Sequence, residues 1–370
     1  MSYQLMNRMF FEGQIPAMIT FFNPNHVAHA GQLEMYRGEL VPCFEVPSRA
    51  DRVLAELEHR QLGSIQPASL IDGSLRSVLE KVHSSRYLQF LERAWGEWIK
   101  LAPENSERDA LPSVWSVRGM RSDRLPSNFA ARMGLFSFDM GTPLTAGTWQ
   151  AAIGGAGCAL SAANRLLAGE RGTFALTRPP GHHAGADFFG GYCFINNAAV
   201  AAQVLLDGGM ARVAILDIDY HHGNGTQAIF YRRSDVMFAS IHGDPSSEYP
   251  FFLGYADETG EGDGVGYNHN LPLPKGSDFD VWGQALTEGL DSIFGFKPDG
   301  LVVSLGVDTF IDDPISGFRF LEEDYLAVGR QIANIGLPTV FVMEGGYALE
   351  AIGRNVANVL QGFDTGKSTV

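Results

Sequence analysis

Only three cysteines occur in the 370 residues, at 43, 158 and 193, too few and too far apart for a disulfide framework or a zinc knuckle. A reducing compartment, the cytoplasm, is therefore expected. No apolar run approaches the roughly 20 residues that span a bilayer, and Met1 to Phe22 carries Arg8 and Glu12 without the form of a secretory signal. Positive charge is also scarce: 27 basic residues against 42 acids, a formal net charge of -15. Such a surface repels phosphate backbones and anionic lipid, which argues against nucleic-acid and membrane work, and it favours encounter with small cations. No linker, internal repeat or low-complexity tract divides the chain, so residues 1–370 read as one domain. Gly-x-Ser-x-Gly is absent, and with it the elbow of a serine hydrolase. The glycines at 260, 262, 264 and 266 alternate with acids at 261 and 263 and lead to Asn270-Leu271-Pro272, a loop rather than a phosphate cradle.

What is present is an alternation of short apolar runs with helical periodicities. Strands are expected at 18–22, 173–176, 212–217, 236–240, 301–304 and 339–342. Helices are expected from about Arg49, capped by Ser48, to Gly63, and at 85–101, 151–167, 197–206 and 281–293. Between residues 103 and 145 the periodicity fades, and a loop that long in a compact domain is usually functional or at an interface. Strands separated by helices imply right-handed crossovers and a parallel sheet.

The chemistry-bearing residues follow the strands. After successive runs come His182-His183, then Asp217, Asp219 and His221-His222, then His242, Asp308, and Glu344-Gly345-Gly346-Tyr347. Ten histidines should give about 0.3 adjacent pairs by chance, and this chain has two. In open parallel sheets ligands bind beyond the carboxyl ends of strands, so these groups should meet in one pocket. Asp219, His221 and Asp308 form a two-oxygen, one-nitrogen set that leaves room for water and substrate, the pattern of a catalytic zinc, with Fe(II) or Co(II) also suited. A bound ion of this kind activates water and polarises a carbonyl. His182 and His183 are the candidates to move protons, held by Asp217 and Asn224, and Tyr347 is placed to donate to a developing oxyanion.

Arg178-Pro-Pro-Gly-His-His, Gly190-Gly-Tyr-Cys-Phe-Ile-Asn-Asn, Leu216-Asp-Ile-Asp-Tyr-His-His-Gly-Asn-Gly-Thr, Ser304-Leu-Gly-Val-Asp-Thr-Phe and Met343-Glu-Gly-Gly-Tyr resemble the zinc-dependent histone deacetylase superfamily. The match is closest to its bacterial acetylpolyamine amidohydrolases and covers about residues 20 to 363. The resemblance implies an arginase/deacetylase-like α/β fold, with a central, mostly parallel eight-stranded sheet and helices on both faces. It implies removal of acetyl groups from small N-acetylated amines, with one zinc per subunit on Asp219, His221 and Asp308. It makes His183 the principal acid/base, His182 its electrostatic companion and Tyr347 the oxyanion donor. Tyr192, Phe252 and Gly191 become substrate-channel residues. It also implies a structural potassium near Asp217, Asp219, His221 and Ser240, and a homodimer or higher homo-oligomer whose interface and channel entrance use the segment 103–145. The arginase branch, with two manganese ions on an Asp-x-His-x-Asp run, is set aside because Gly223 takes the last position. The resemblance departs at the channel, where Ala130 and Gly141 stand in place of acids that would meet a distal ammonium. Asp139 is the acid that remains, and an amidase for another small, neutral or xenobiotic amide is the alternative.

Overall fold

The computed structural model describes residues 18–68, 73–114 and 120–366. Met1 to Ala17, which hold most of the stretch read against a secretory signal, lie outside the described residues. In chain order the elements are β1 (Ile19–Phe22), β2 (Leu33–Tyr36), β3 (Glu39–Pro42), α1 (Ser48–Arg60), β4 (Ile65–Pro67), α2 (Gly73–Val82), α3 (Ser85–Leu101) and α4 (Phe129–Phe136). There follow α5 (Thr148–Leu167), β5 (Gly172–Leu176), α6 (Asn197–Asp207), β6 (Val213–Asp217), α7 (Asn224–Phe230), β7 (Val236–Gly243) and β8 (Asn268–Leu273). The chain closes with α8 (Phe279–Phe296), β9 (Gly300–Leu305), α9 (Asp324–Asn334), β10 (Thr339–Met343) and α10 (Ile352–Thr365).

Eight strands form one sheet in the order β4-β1-β5-β10-β9-β6-β7-β8, every neighbouring pair parallel. The central strands are buried residue by residue, as runs like Val213-Ala214-Ile215-Leu216 require when both faces are covered. Successive side chains point to opposite faces. Val213 and Ile215 accordingly join a core built with α2 to α6, while Ala214 and Leu216 join a second core built with α1 and α8 to α10. β2 and β3 pair antiparallel as a separate hairpin.

Two local expectations change. Ser48 does not cap α1: it is the first helical residue, and Pro47 occupies the cap without a side-chain bond. His242 does not lie beyond a strand end, because β7 runs to Gly243, three residues further than its apolar core suggested. There its Nε2 donates to the Gly254 carbonyl at 2.8 Å, inside the protein and away from the pocket. The segment 103–145 holds α4 and a pairing of Ala110 with Leu144, and its Phe138 to Gly141 reach the pocket described next.

Candidate active site

β6 delivers the first group. Asp217, its last residue, accepts the Asp219 amide at 3.1 Å on Oδ1 and bonds His182 Nδ1 at 3.0 Å on Oδ2. Asp219 accepts the His221 amide at 2.9 Å on Oδ1 and the Gly345 amide at 2.8 Å on Oδ2, so its carboxylate is fixed from two strand ends. Asp308, beyond β9, accepts the Tyr220 amide at 2.8 Å on Oδ1, and its Oδ2 lies 2.9 Å from His221 Nδ1. That nitrogen is also 3.4 Å from Asp219 Oδ1. One ligand atom from each of Asp219, His221 and Asp308 falls within 4.8 Å of the others.

The electrostatics of this cluster call for a cation. Burial and the neighbouring Asp219 push Asp308 up to about 8. Asp219 is itself held low: the histidine charges of His182 and His221 overcome its burial. Two buried carboxylates a few ångströms apart cannot both ionise cheaply unless positive charge stands between them. Against its burial, the two carboxylates raise His221 to about 10, so a proton on its ring fills that place when no ion does. A divalent ion would replace that proton, and two carboxylates would then balance its charge beside a neutral imidazole. The donor set therefore fits a metal, and hard oxygens with imidazole suit zinc or another first-row divalent ion.

The histidine pair is split in character. Burial opposes a charge on His182, but Asp217 and Asp219 win and raise it to about 10, so it stands as a cation. His183 is pressed well below the usual histidine range by burial and by the charges of His182 and His221. Its Nδ1 sits 2.7 Å from Asn224 Oδ1, which can only accept, so the proton belongs on Nδ1 and Nε2 is left bare. Tyr347 is fixed by its backbone amide on Asp313 Oδ2 at 2.7 Å, with the Arg49 guanidinium 4.5 Å over its ring.

These groups open onto a cavity of about 430 Å³. His183, Gly191, Tyr192, His221, Asp139, Phe252 and Tyr347 all line it, while His182, Asp217, Asp219, Asn224, Ser240 and Asp308 are buried behind. Phe252 is 85% exposed and belongs to the mouth. The inner wall is Tyr249, edge-on to His183 at 5.0 Å and beside Phe138 at 5.8 Å. Asp139 is already engaged: Oδ2 accepts the Gly191 amide at 2.6 Å and the Tyr249 hydroxyl at 2.8 Å, and Oδ1 the Gly141 amide at 3.1 Å.

The sequence reading did not reach Tyr249, Arg49, Asp313 or Glu34. Glu34 comes from β2 and lines the cavity. It accepts the Tyr192 hydroxyl at 2.7 Å and the Phe44 amide at 3.1 Å, and burial raises it to about 7. The signal that was there is the aromatic run Tyr249-Pro-Phe-Phe, and two four-residue strands around Arg37-Gly38.

The family model of the histone deacetylase domain matches residues 43–363. Acetylpolyamine amidohydrolase 1 of Pseudomonas aeruginosa is 53% identical over 348 residues, 94% of this chain and 99% of that protein. The acetylpolyamine amidohydrolase of Mycoplana ramosa is 49% identical over 345 residues, 93% and 99% of the two chains. A crystal structure of acetylpolyamine aminohydrolase from Burkholderia pseudomallei superposes with a TM-score of 0.88 at 38% identity, covering 94% of this chain and 99% of that one.

Proposed function

Since this chain belongs to the histone deacetylase family and is a hydrolase of that family, we propose that it removes acetyl groups from small acylated amines, chiefly acetylated polyamines. The observation that carries the reading is the convergence of Asp219, His221 and Asp308 behind a cavity that His183, His221 and Tyr347 line. We assign Asp219, His221 and Asp308 as the residues that hold a divalent ion, zinc by preference. When bound, such an ion supplies Lewis-acid polarisation of the acyl carbonyl and an acidified water.

The protein's own groups do the rest. Phe138, Tyr192 and Tyr249 enclose the acyl chain and exclude bulk water, which strengthens every electrostatic interaction inside. The Tyr347 hydroxyl donates to the carbonyl oxygen as negative charge builds there. His183, neutral and bare at Nε2, takes the proton of the attacking water and returns it to the leaving amine. His182, held as a cation by Asp217, stabilises the developing anion and keeps its neighbour neutral.

The cationic end of the substrate meets Glu34. Three acids line the cavity. Asp139 spends its oxygens on Gly141, Gly191 and Tyr249, and Glu248 pairs with Lys275 Nζ at 3.6 Å. Ala130 and Gly141 carry no acid, so we assign the ammonium to Glu34 of β2, whose oxygens accept one bond each. A structural potassium near Asp217, Asp219, His221 and Ser240 belongs to the same reading, supported by the register that sets Asp217 opposite Ser240. So does a homodimer or higher homo-oligomer through the 103–145 segment, where Met120, Leu125 and Met140 lie exposed. Among the described residues no helix is long and apolar enough to cross a membrane, and we place the protein in the cytoplasm.

The test is kcat/KM of the zinc-loaded protein on acetylputrescine, acetylcadaverine, an acetyl-lysine peptide and a neutral N-alkyl acetamide of matched length. A preference for the diamines over the neutral amide of about tenfold or more, ~1.4 kcal/mol, supports the cationic-substrate reading. Equal turnover of the neutral amide overturns it in favour of a neutral-amide amidase.

A further inference from the structure

The turn that carries the histidine pair cannot support itself. Arg178-Pro179-Pro180-Gly181-His182 contains two prolines, which lack N–H groups, so the first amides available after them are those of Gly181 and His182. Both are buried and both need an acceptor. They find the same one: Glu344 Oε2, 2.6 Å from the Gly181 nitrogen and 3.1 Å from that of His182. Glu344 is fully buried immediately beyond β10, and its other oxygen, Oε1, has no hydrogen-bond partner. Its backbone is equally committed, since its carbonyl accepts Arg49 Nη2 at 2.6 Å and its amide donates to the Leu305 carbonyl at 2.9 Å.

We propose that Glu344 is a positioning residue for the reaction, its Oε2 fixing the backbone from which His182 and His183 hang and so the reach of His183 into the cavity. Asp217 and Asn224 orient the two rings, and Glu344 sets where the rings start from. The same four residues, 344 to 347, bring the Gly345 amide to Asp219 and the Tyr347 phenol to the pocket. The proton donor to the oxyanion and the proton carrier are thereby referred to one anchor. The role needs an acceptor oxygen of glutamate length, and burial already raises this carboxyl to about 7, so its neutral form has the shape of glutamine.

The inference rests on the amide-hydrolase reading, and the experiment separates the two. Glu344→Gln and Glu344→Asp are compared with the parent in the zinc-loaded full chain, for kcat, KM, metal content and amide hydrogen exchange at Gly181 and His182. Glu344→Gln keeps the acceptor, and its kcat should stay within about threefold of the parent. Glu344→Asp falls one methylene short. Its kcat should drop about 10- to 100-fold with KM and metal content unchanged, because small misplacements of a reacting group cost rate rather than binding. Exchange at the two amides should quicken in Glu344→Asp alone. Parental kcat in Glu344→Asp, an equal loss in Glu344→Gln, or unchanged exchange in Glu344→Asp each overturns the proposal. Quickened exchange in Glu344→Asp, with a parent that hydrolyses no amide on the panel, would sink the hydrolase reading and leave the anchoring intact.

Discussion

Replacing Glu34 by glutamine removes one charge from the cavity and little else. The side chain keeps its size, and one of its two bonds, to the Tyr192 hydroxyl or the Phe44 amide, survives with the amide group turned to suit it. Stability should change by about 1 kcal/mol, the net worth of one hydrogen bond. The substrate effect is larger. A hydrogen bond to a charged group is worth ~1.5–3 kcal/mol, so kcat/KM for acetylputrescine should fall about 10- to 150-fold. The neutral acetamide has no ammonium to lose and should stay within about threefold. A pH series adds an independent reading. Burial lifts Glu34 from 4.5 to about 7, so the carboxylate that attracts the ammonium is populated above that value. KM for the diamine should therefore fall between pH 6 and 8 in the parent and stay flat in Glu34→Gln. The linkage sign is the opposite for stability: a carboxyl with a raised folded value binds its proton more tightly when folded, so the parent loses stability relative to the variant as pH rises from 4.5 to about 7. A Glu34→Gln enzyme that keeps its preference for diamines, or that loses both substrates equally, refutes the role given to this acid.

Tyr347→Phe removes a single donor from a ring that Arg49 continues to hold, so kcat should fall about 10²- to 10³-fold, ~2.7–4 kcal/mol, with the melting temperature unmoved. A loss under tenfold in steady-state turnover would contradict the oxyanion role. Asp308→Ala should abolish stoichiometric metal in elemental analysis, and a chelator should lower the melting temperature of the parent but not of the variant; full metal content would count against the ligand set. Phe252→Ala, at the exposed mouth, should alter KM by less than about twofold, whereas Tyr249→Phe breaks the bond to Asp139 and should raise it several-fold. Steady-state kinetics on one diamine substrate distinguishes the two, and the reverse order would restore Phe252 as the wall.

The central sheet was legible because its strands are buried on both faces. Runs such as Val213 to Leu216 have no polar register to confuse, and the chemistry-bearing residues sit directly beyond them. Edge elements carry weaker marks. β4 is three residues long, β8 ends in Leu271-Pro272-Leu273 with the proline tolerated at a sheet edge, and β2 and β3 are four residues each and partly exposed. Glu34 could not be picked out for that reason: its importance comes from a hairpin folding over the cavity and from a bond to Tyr192, 158 positions away. Phe252 came from the resemblance alone, and nothing in the aromatic run Tyr249-Pro-Phe-Phe marks Tyr249 as the inner ring; its bond to Asp139, 110 positions away, does. His242 misled because a strand three residues longer than its apolar core makes a buried histidine look like a strand-end one.

The remaining question is why groups far apart in sequence reach one level. Register supplies the answer. Asp217 pairs with Ser304, and Leu305 with Met343, so β6, β9 and β10 end at nearly the same height. Asp219, Asp308 and Tyr347 follow those ends by two, three and four residues, and a short step beyond a common level keeps them together. Convergence also needs empty space. A Cβ at Gly306 would stand 2.5 Å from the Asp219 Cα, and one at Gly345 would stand 2.9 Å from Asp308 Oδ2. Both lie below real Cβ contacts, and a carboxylate held by backbone amides cannot retreat without losing its bonds. The glycines in Ser304-Leu-Gly-Val-Asp and Glu344-Gly-Gly-Tyr are therefore part of the site, as the spaces into which the two carboxylates are packed.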